Sequence, residues 1–285
     1  MNILVTGSNG QLGNEIQELS RQYPSWSFRF IDINELDLSS QKDVRTFFSM
    51  NQFGLVVHCA AYTAVDKAEQ DPLRAMTVNA TVPGQLAALC AASGTRMILI
   101  STDYVFNGRN FKPYSEKDPV DPLSVYGRSK YEGEKAMQKE SVAGLILRTS
   151  WLYSGYGSNF VKSILNKAKK QEPLRVVFDQ IGTPTYARDL AKAILEVIPE
   201  VMKMNSLELY HFSNEGAISW YDFAKAIVDI AEIPASVSPI ETRELTQIAE
   251  RPFYSVLNKA AIRERFGITI PYWRDSLKDC LSKLL

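Results

Sequence analysis

Short β-rich runs at residues 2–6, 27–31, 55–59, 96–101 and 144–148 take turns with helix-length amphipathic stretches at 13–22, 41–51, 72–93 and 126–140. Strict alternation of this kind predicts parallel strands, because each return to a parallel neighbour needs a crossover long enough to hold a helix. The expected fold class is α/β: a doubly wound parallel sheet of the Rossmann type, covered by helices on both faces. After Trp151 the pattern loosens. A strand at 174–178, a helix at 188–198, a strand at 210–212 and helices at 220–231, 258–266 and 272–285 predict a smaller α+β lobe. The length of 285 residues suits about two such units. The expected division is a Rossmann domain over 1–150 and a substrate-binding lobe mainly over 151–285, interleaved, with elements around 171–200 returning to the first.

The first strand runs directly into Gly7-Ser8-Asn9-Gly10-Gln11-Leu12-Gly13, a GxxGxxG turn that opens a helix. Glycine suits a sharp strand-to-helix turn and a close approach of backbone to a diphosphate. The free N–H groups of the new helix then face the anion. Gly7, Gly10 and Gly13 are therefore expected to bind a dinucleotide. About twenty residues on, Asp32 ends the second strand, where a carboxylate accepts hydrogen bonds from an adenosine ribose. That geometry favours NAD over NADP.

Further along, Ser101-Thr102-Asp103-Tyr104 closes the fourth strand and Tyr126-Gly127-Arg128-Ser129-Lys130 opens a helix. Residues four apart share a helix face, so the Tyr126 phenol and the Lys130 ammonium are expected to enter one cleft. A neighbouring cation favours phenolate and is expected to lower the tyrosine pKa, easing proton exchange with a sugar or alcohol oxygen. Thr102 offers a further hydrogen bond to the same oxygen. Trp151 offers an indole face to the apolar side of a deoxysugar, and Arg251 a guanidinium fork to phosphate.

Composition removes other classes. With 32 basic and 32 acidic side chains the net charge is zero, so no global field draws the chain to nucleic acid or an anionic membrane. No run of about eighteen apolar residues predicts a membrane span. The opening residues lack the basic start of a secretory signal, and Cys59, Cys90 and Cys280 form no CxxC pair. A cytoplasmic location with reduced, packed thiols is expected. His58 and His211, the only histidines, sit in apolar strand-like runs without metal-ligand spacing, so a catalytic metal and a Ser/His/Asp hydrolase are both disfavoured.

Taken together, the glycine turn, the Ser-Thr strand end and the YxxxK pair resemble the extended short-chain dehydrogenase/reductase family. Ala60-Ala61-Tyr62-Thr63 and Asn79 fit the same pattern. Residues 61–69, 101–106, 147–153, 179–185 and 270–273, with Arg251-Pro252 and Ser255-Val256-Leu257, are similar to a subgroup of that family. Its members reduce 4-keto-6-deoxy sugars carried on dTDP. The resemblance covers essentially the whole chain. It implies NADPH or NADH as cofactor, a dTDP-linked 4-keto-6-deoxy sugar as partner, and Tyr126, Lys130 and Thr102 as the catalytic set. It places Gly10, Gln11, Leu12, Asp32, Asp37, Leu38, Ala61, Tyr62 and Thr63 on the cofactor and Asp103 and Trp151 on the sugar, and it makes Asn79 a support of the Tyr/Lys pair.

Two alternatives accompany this expectation. The regulatory subunit of methionine adenosyltransferase resembles the same subgroup yet serves as a binding partner. A nucleotide-sugar epimerase or dehydratase is the other, although the Asp-Glu pair common in dehydratases is Asp103-Tyr104 here. Some relatives dimerise around magnesium held by glutamates. Glu15 matches one such ligand, but Arg188 falls at or near the place of another acid and would repel the ion. No metal, and a monomer or weak homodimer, are expected.

Overall fold

In chain order the elements of the first half are β1 (Asn2–Thr6), α1 (Gln11–Ser20), β2 (Ser27–Ile31), α2 (Gln41–Met50), β3 (Leu55–His58), α3 (Val65–Gln70), α4 (Pro72–Met76), α5 (Val82–Ser93), β4 (Arg96–Thr102), α6 (Val125–Lys139) and β5 (Gly144–Thr149). The second half continues with β6 (Leu152–Tyr153), α7 (Phe160–Lys169), β7 (Leu174–Val177), β8 (Ile181–Gly182), β9 (Thr185–Tyr186), α8 (Ala187–Val201), β10 (Leu207–His211), β11 (Ile218–Ser219), α9 (Trp220–Ile230), β12 (Val237–Ile240), α10 (Ala260–Phe266) and α11 (Trp273–Leu284). This computed structural model describes residues 1–285.

Six parallel strands form the main sheet in the order β10-β5-β4-β3-β1-β2. Side chains alternate between its faces with a period of two. Ile3, Val5, Leu55, Val57, Ile98, Leu145 and Leu147 pack on one side with Ile16 of α1 and Leu190 and Ile194 of α8. Leu4, Val56, Met97, Leu99 and Ile146 pack on the other with Val44, Leu86 and Met137. Both faces of the sheet are covered, so β3 and β5 are buried at every residue and are apolar up to their carboxyl ends, where His58, Arg148 and Thr149 begin the polar site. The chain leaves β1 for β2 on one side and then takes up β3 on the other. Ligands of such sheets bind where the order reverses, beyond the carboxyl ends of β1 and β3.

The smaller lobe has its own core, in which Tyr153, Val161, Val176, Phe223, Trp273 and Leu277 meet. Of the elements around 171–200, β7 does not join the main sheet. β7 pairs with β12 inside the lobe, whereas α8 and β10 belong to the main sheet and its cover. A four-residue strand joins whichever sheet its buried valines can reach, and Val176 and Val177 meet β12.

The single helix expected over 72–93 is also interrupted, by a π turn at Thr77–Thr81. Pro83 has no N–H to give to the carbonyl four residues back, that of Asn79, so regular α-helical bonding cannot run through this point. The freed Asn79 carbonyl lies against Gly133 of α6, where a Cβ would sit 2.0 Å from it. This contact sets how closely α6 approaches. His58 and His211 are buried strand-end residues, their ring nitrogens meeting Thr6 Oγ1 at 2.7 Å and the Tyr114 carbonyl at 3.1 Å. Burial pushes both imidazoles down to about 3, so they are neutral.

Candidate active site

A cleft of about 1330 Å³ opens over the carboxyl ends of β1, β3 and β4. A drug-sized ligand occupies a pocket of roughly 300–1,000 Å³, so this cleft has room for a dinucleotide and a second ligand. Among its lining residues are Gly7, Gly10, Gln11, Leu12, Gly13, Asp32, Asp37, Leu38, Ala61, Tyr62, Thr63, Thr102, Asp103, Tyr126, Lys130 and Trp151. Every site residue expected from the sequence is thus on one wall or another, with the exception of Arg251.

The floor at one end is the glycine turn. Gly7 has φ +65°, and a Cβ there would lie 2.6 Å from the Ala60 nitrogen; a Cβ on Gly13 would lie 2.4 Å from the Gly7 carbonyl. Only glycine allows β1, α1 and the end of β3 to close on one another this tightly. α1 starts with no side-chain cap, leaving its first N–H groups for an anion. Asp32 follows the end of β2, where its carboxylate accepts the Asn9 N–H at 2.9 Å and is fixed beside the turn. These residues fit a nicotinamide dinucleotide: a backbone cradle that side chains would fill, uncapped donors for phosphate and a held carboxylate for ribose hydroxyls.

At the other end, α6 presents Tyr126 and Lys130. Ser124 caps the helix through the Gly127 N–H at 3.1 Å, and Glu69 accepts the Val125 N–H at 2.7 Å. A Cβ on Gly127 would fall 2.2 Å from the Tyr104 carbonyl, so the helix start is pressed onto the turn after β4. Lys130 Nζ donates to the Ile100 carbonyl at 2.6 Å. The Asn79 side chain joins this end to the cofactor side: Oδ1 accepts the Tyr62 N–H at 2.8 Å, and Nδ2 donates to the Tyr62 carbonyl at 3.0 Å and to Ser129 Oγ at 2.9 Å.

The electrostatics correct one expectation. Tyr126 is not lowered by its lysine; burial pushes it up to about 12, against the downward pull of the Thr102 hydroxyl. The Lys130 ammonium is committed to a main-chain carbonyl, and desolvation takes it down to about 8 despite the nearby Glu134 carboxylate. In this state the phenol keeps its proton. Asp103 is buried and pushed up to about 7 by desolvation. Its Oδ1 accepts the Thr102 hydroxyl at 3.1 Å, while Oδ2 has no partner.

Trp151 follows β5 with φ +46° and stacks on Trp220, ring centroids 3.6 Å apart. Gly182 lies flat against the Trp151 indole, with its Cβ position 2.5 Å from the ring. Both tryptophans line the cleft. Trp220 is a wall residue that the sequence reading missed, because nothing in its own neighbourhood marks it and its partner lies in another lobe element. Glu134 was missed as well, although YxxxKxxxE spacing on one helix was there to be read. Arg251 is held elsewhere: Nη1 and Nη2 meet the Asp66 carboxylate of α3 at 3.2 and 2.7 Å, and Nη1 also meets Gln247 Oε1 at 2.8 Å. It pins the 247–251 segment to α3 and also neighbours Tyr104, a residue of the cleft wall. Arg188 Nη1 meets Glu15 at 3.0 Å and Glu18 at 2.8 Å.

Known proteins resemble the chain along its whole length. The model of the RmlD substrate binding domain family matches residues 1–285. The chain is 38% identical over 283 residues to the spore coat polysaccharide biosynthesis protein SpsK of Bacillus subtilis, covering 99% of this chain and 97% of that one. To the dTDP-4-dehydrorhamnose reductase of Aggregatibacter actinomycetemcomitans it is 36% identical over 285 residues, 97% of each chain. Among solved structures, a dTDP-4-dehydrorhamnose reductase of Clostridium acetobutylicum superimposes with a TM-score of 0.95 at 40% identity, covering 100% of this chain and 99% of that one. One from Bacillus anthracis, in complex with NADP, gives 0.93 at 35% identity over 99% of each chain.

Proposed function

Since this chain belongs to the RmlD substrate binding domain family, we propose that it reduces the 4-keto group of dTDP-4-dehydro-L-rhamnose to give dTDP-L-rhamnose, using NADPH or NADH. The observation that carries this reading is one cleft holding both a glycine cradle and, at its far end, Thr102, Tyr126 and Lys130.

The bound nicotinamide supplies the hydride that the sugar C4 accepts. Tyr126 supplies the proton: its O–H bond breaks as the C4 oxygen gains negative charge and a new O–H bond forms there. A phenol raised by burial is a weak acid, yet it still gives its proton to an alkoxide, the stronger base. Thr102, once its hydroxyl turns from Asp103 Oδ1, donates a hydrogen bond that polarises the carbonyl, and the Lys130 charge favours the phenolate left behind only when its ammonium leaves the Ile100 carbonyl. Lys130 also orients the nicotinamide ribose. Gly7, Gly10, Gln11, Leu12, Gly13, Asp32, Asp37, Leu38, Ala61, Tyr62 and Thr63 hold the rest of the cofactor.

For the sugar, the Trp151–Trp220 stack offers an apolar wall to the deoxy face, and Asp103 Oδ2, buried without a partner, is available to a hydroxyl. Arg251, held by Asp66, keeps its Nε–H free of that contact for the substrate diphosphate. We place the protein in the cytoplasm, in keeping with three cysteines free of disulfides, as a monomer or weak homodimer. Purified protein given the dTDP-linked keto sugar and each reduced cofactor tests the whole reading. Consumption of cofactor matched by formation of the 6-deoxy alcohol is expected. Tight cofactor binding with no turnover on any 4-keto sugar nucleotide would return the protein to the non-catalytic class.

A further inference from the structure

Three side chains one helical turn apart on α6 meet the top of β4 in turn. Tyr126 lies beside Thr102, Lys130 donates to the Ile100 carbonyl, and Glu134 accepts the Ser101 hydroxyl at 2.5 Å. The last contact is unusual for its setting. Glu134 is completely buried on the side of the sheet otherwise packed with Met97, Leu99, Ile146 and Met137. An isolated charge there is strongly disfavoured. Its counterpart is Arg148, which pairs with Ser101 across the β4–β5 register and donates to Glu134 through Nε at 2.9 Å and Nη2 at 2.6 Å. Phe106 covers the guanidinium at 5.2 Å.

A buried ion pair is weak evidence for stability, since an apolar pair of the same volume does as well. Its place suggests another use. Resting on the reading that Lys130 orients the cofactor, we infer that Glu134 is a positioning residue for Lys130. Clamped by Ser101 and Arg148, it fixes the turn of α6 that carries the lysine and supplies the counter-charge that keeps it an ammonium. The other titratable groups facing Lys130 cannot do this. From the end of β3 come His58, neutral through burial, and the Cys59 thiol, which burial pushes up to about 12; from its own helix comes the protonated Tyr126. Arg148 of β5 is bonded to both Glu134 oxygens and carries the charge opposite to that of the carboxylate.

The two halves of the pair therefore act on Lys130 with opposite sign, which a merely structural role does not produce. The test is the dissociation constant of NADPH measured by fluorescence across pH 6–10 (about the range in which an ammonium of this kind titrates), with kcat/KM for the keto sugar measured alongside. In Glu134→Gln the alkaline loss of cofactor affinity is expected about one pH unit lower than in the parent, up to tenfold weaker binding above it. In Arg148→Gln it moves the other way. Should either single variant fail to fold, Glu134→Gln/Arg148→Gln removes both charges of the pair together and still shifts the loss downward, because the carboxylate is the member of the pair that acts on Lys130. An unmoved profile in Glu134→Gln or in the double variant, or a shift of the same sign in both single variants, overturns the inference. Parent protein that binds NADPH but reduces no keto sugar overturns the proposed function instead, and leaves the binding profile to decide this one.

Discussion

Asn79 holds Tyr62 by both of its main-chain groups, accepting the N–H at 2.8 Å and donating to the carbonyl at 3.0 Å. It does so from within a π turn, whose wider winding aims the amide across α6 rather than along its own helix. The cofactor side of the cleft and the catalytic helix are thereby locked together through one side chain. Asn79→Ala leaves the half-buried Tyr62 main-chain groups and the buried Ser129 hydroxyl without that partner, at a cost of about 1–3 kcal/mol in stability. Urea unfolding should show it, together with a raised KM for the cofactor.

Tyr126→Phe removes the proton donor and little else. Turnover should fall by about 10²- to 10⁴-fold while the dissociation constant of the cofactor stays close to the parent value. Stopped-flow reduction of the keto sugar, paired with a cofactor titration, separates the two. Retention of most activity would require another acid within reach of the C4 oxygen.

Gly182→Ala places a methyl group 2.5 Å from the Trp151 ring, and the indole must shift into the cleft. Overpacking of this sort costs about 1–3 kcal/mol. Sugar-nucleotide binding should weaken by about tenfold or more, with cofactor binding spared, as calorimetric titration with dTDP-L-rhamnose and NADPH separately will show.

Asp32 holds its carboxylate against the Asn9 N–H, where a 2′-phosphate would meet a like charge. Asp32→Ala should raise the preference for NADPH over NADH by about tenfold. The ratio of kcat/KM for the two cofactors is the measurement. An unchanged ratio would mean that the carboxylate does not face the ribose.

Stability should fall as the solution is acidified from pH 7. His58 and His211 are held down to about 3 in the folded protein and titrate near 6.5 when unfolded. Below about pH 6.5 the unfolded chain therefore binds more protons, and stability drops with pH. Asp103, raised to about 7, works in the opposite sense, being protonated in the folded state first. His211→Gln should flatten the slope between about pH 6 and pH 4 by up to about 1.4 kcal/mol per pH unit, the contribution of one proton. Chemical denaturation at a series of pH values measures it.

Much of the fold is present in local chemistry. Apolar runs short enough for strands, separated by helix-length crossovers, leave a parallel sheet as the arrangement that satisfies both. Glycines at 7 and 13 mark where backbones must close, and spacing of four puts Tyr126 and Lys130 on one face of α6. These features depend on neighbours within a turn or a strand, so they can be read without coordinates. Contacts between distant segments decided the rest. Trp220 became a cleft wall by stacking on Trp151, Arg251 was drawn away by Asp66 of α3, and β7 joined β12 instead of the main sheet. Tyr126 rose rather than fell because burial, a property of the assembled interior, outweighs the Thr102 hydrogen bond, while the lysine ammonium is turned to the Ile100 carbonyl. Desolvation and long-range pairing have no signature in local spacing, and they exist only once the chain has closed around them.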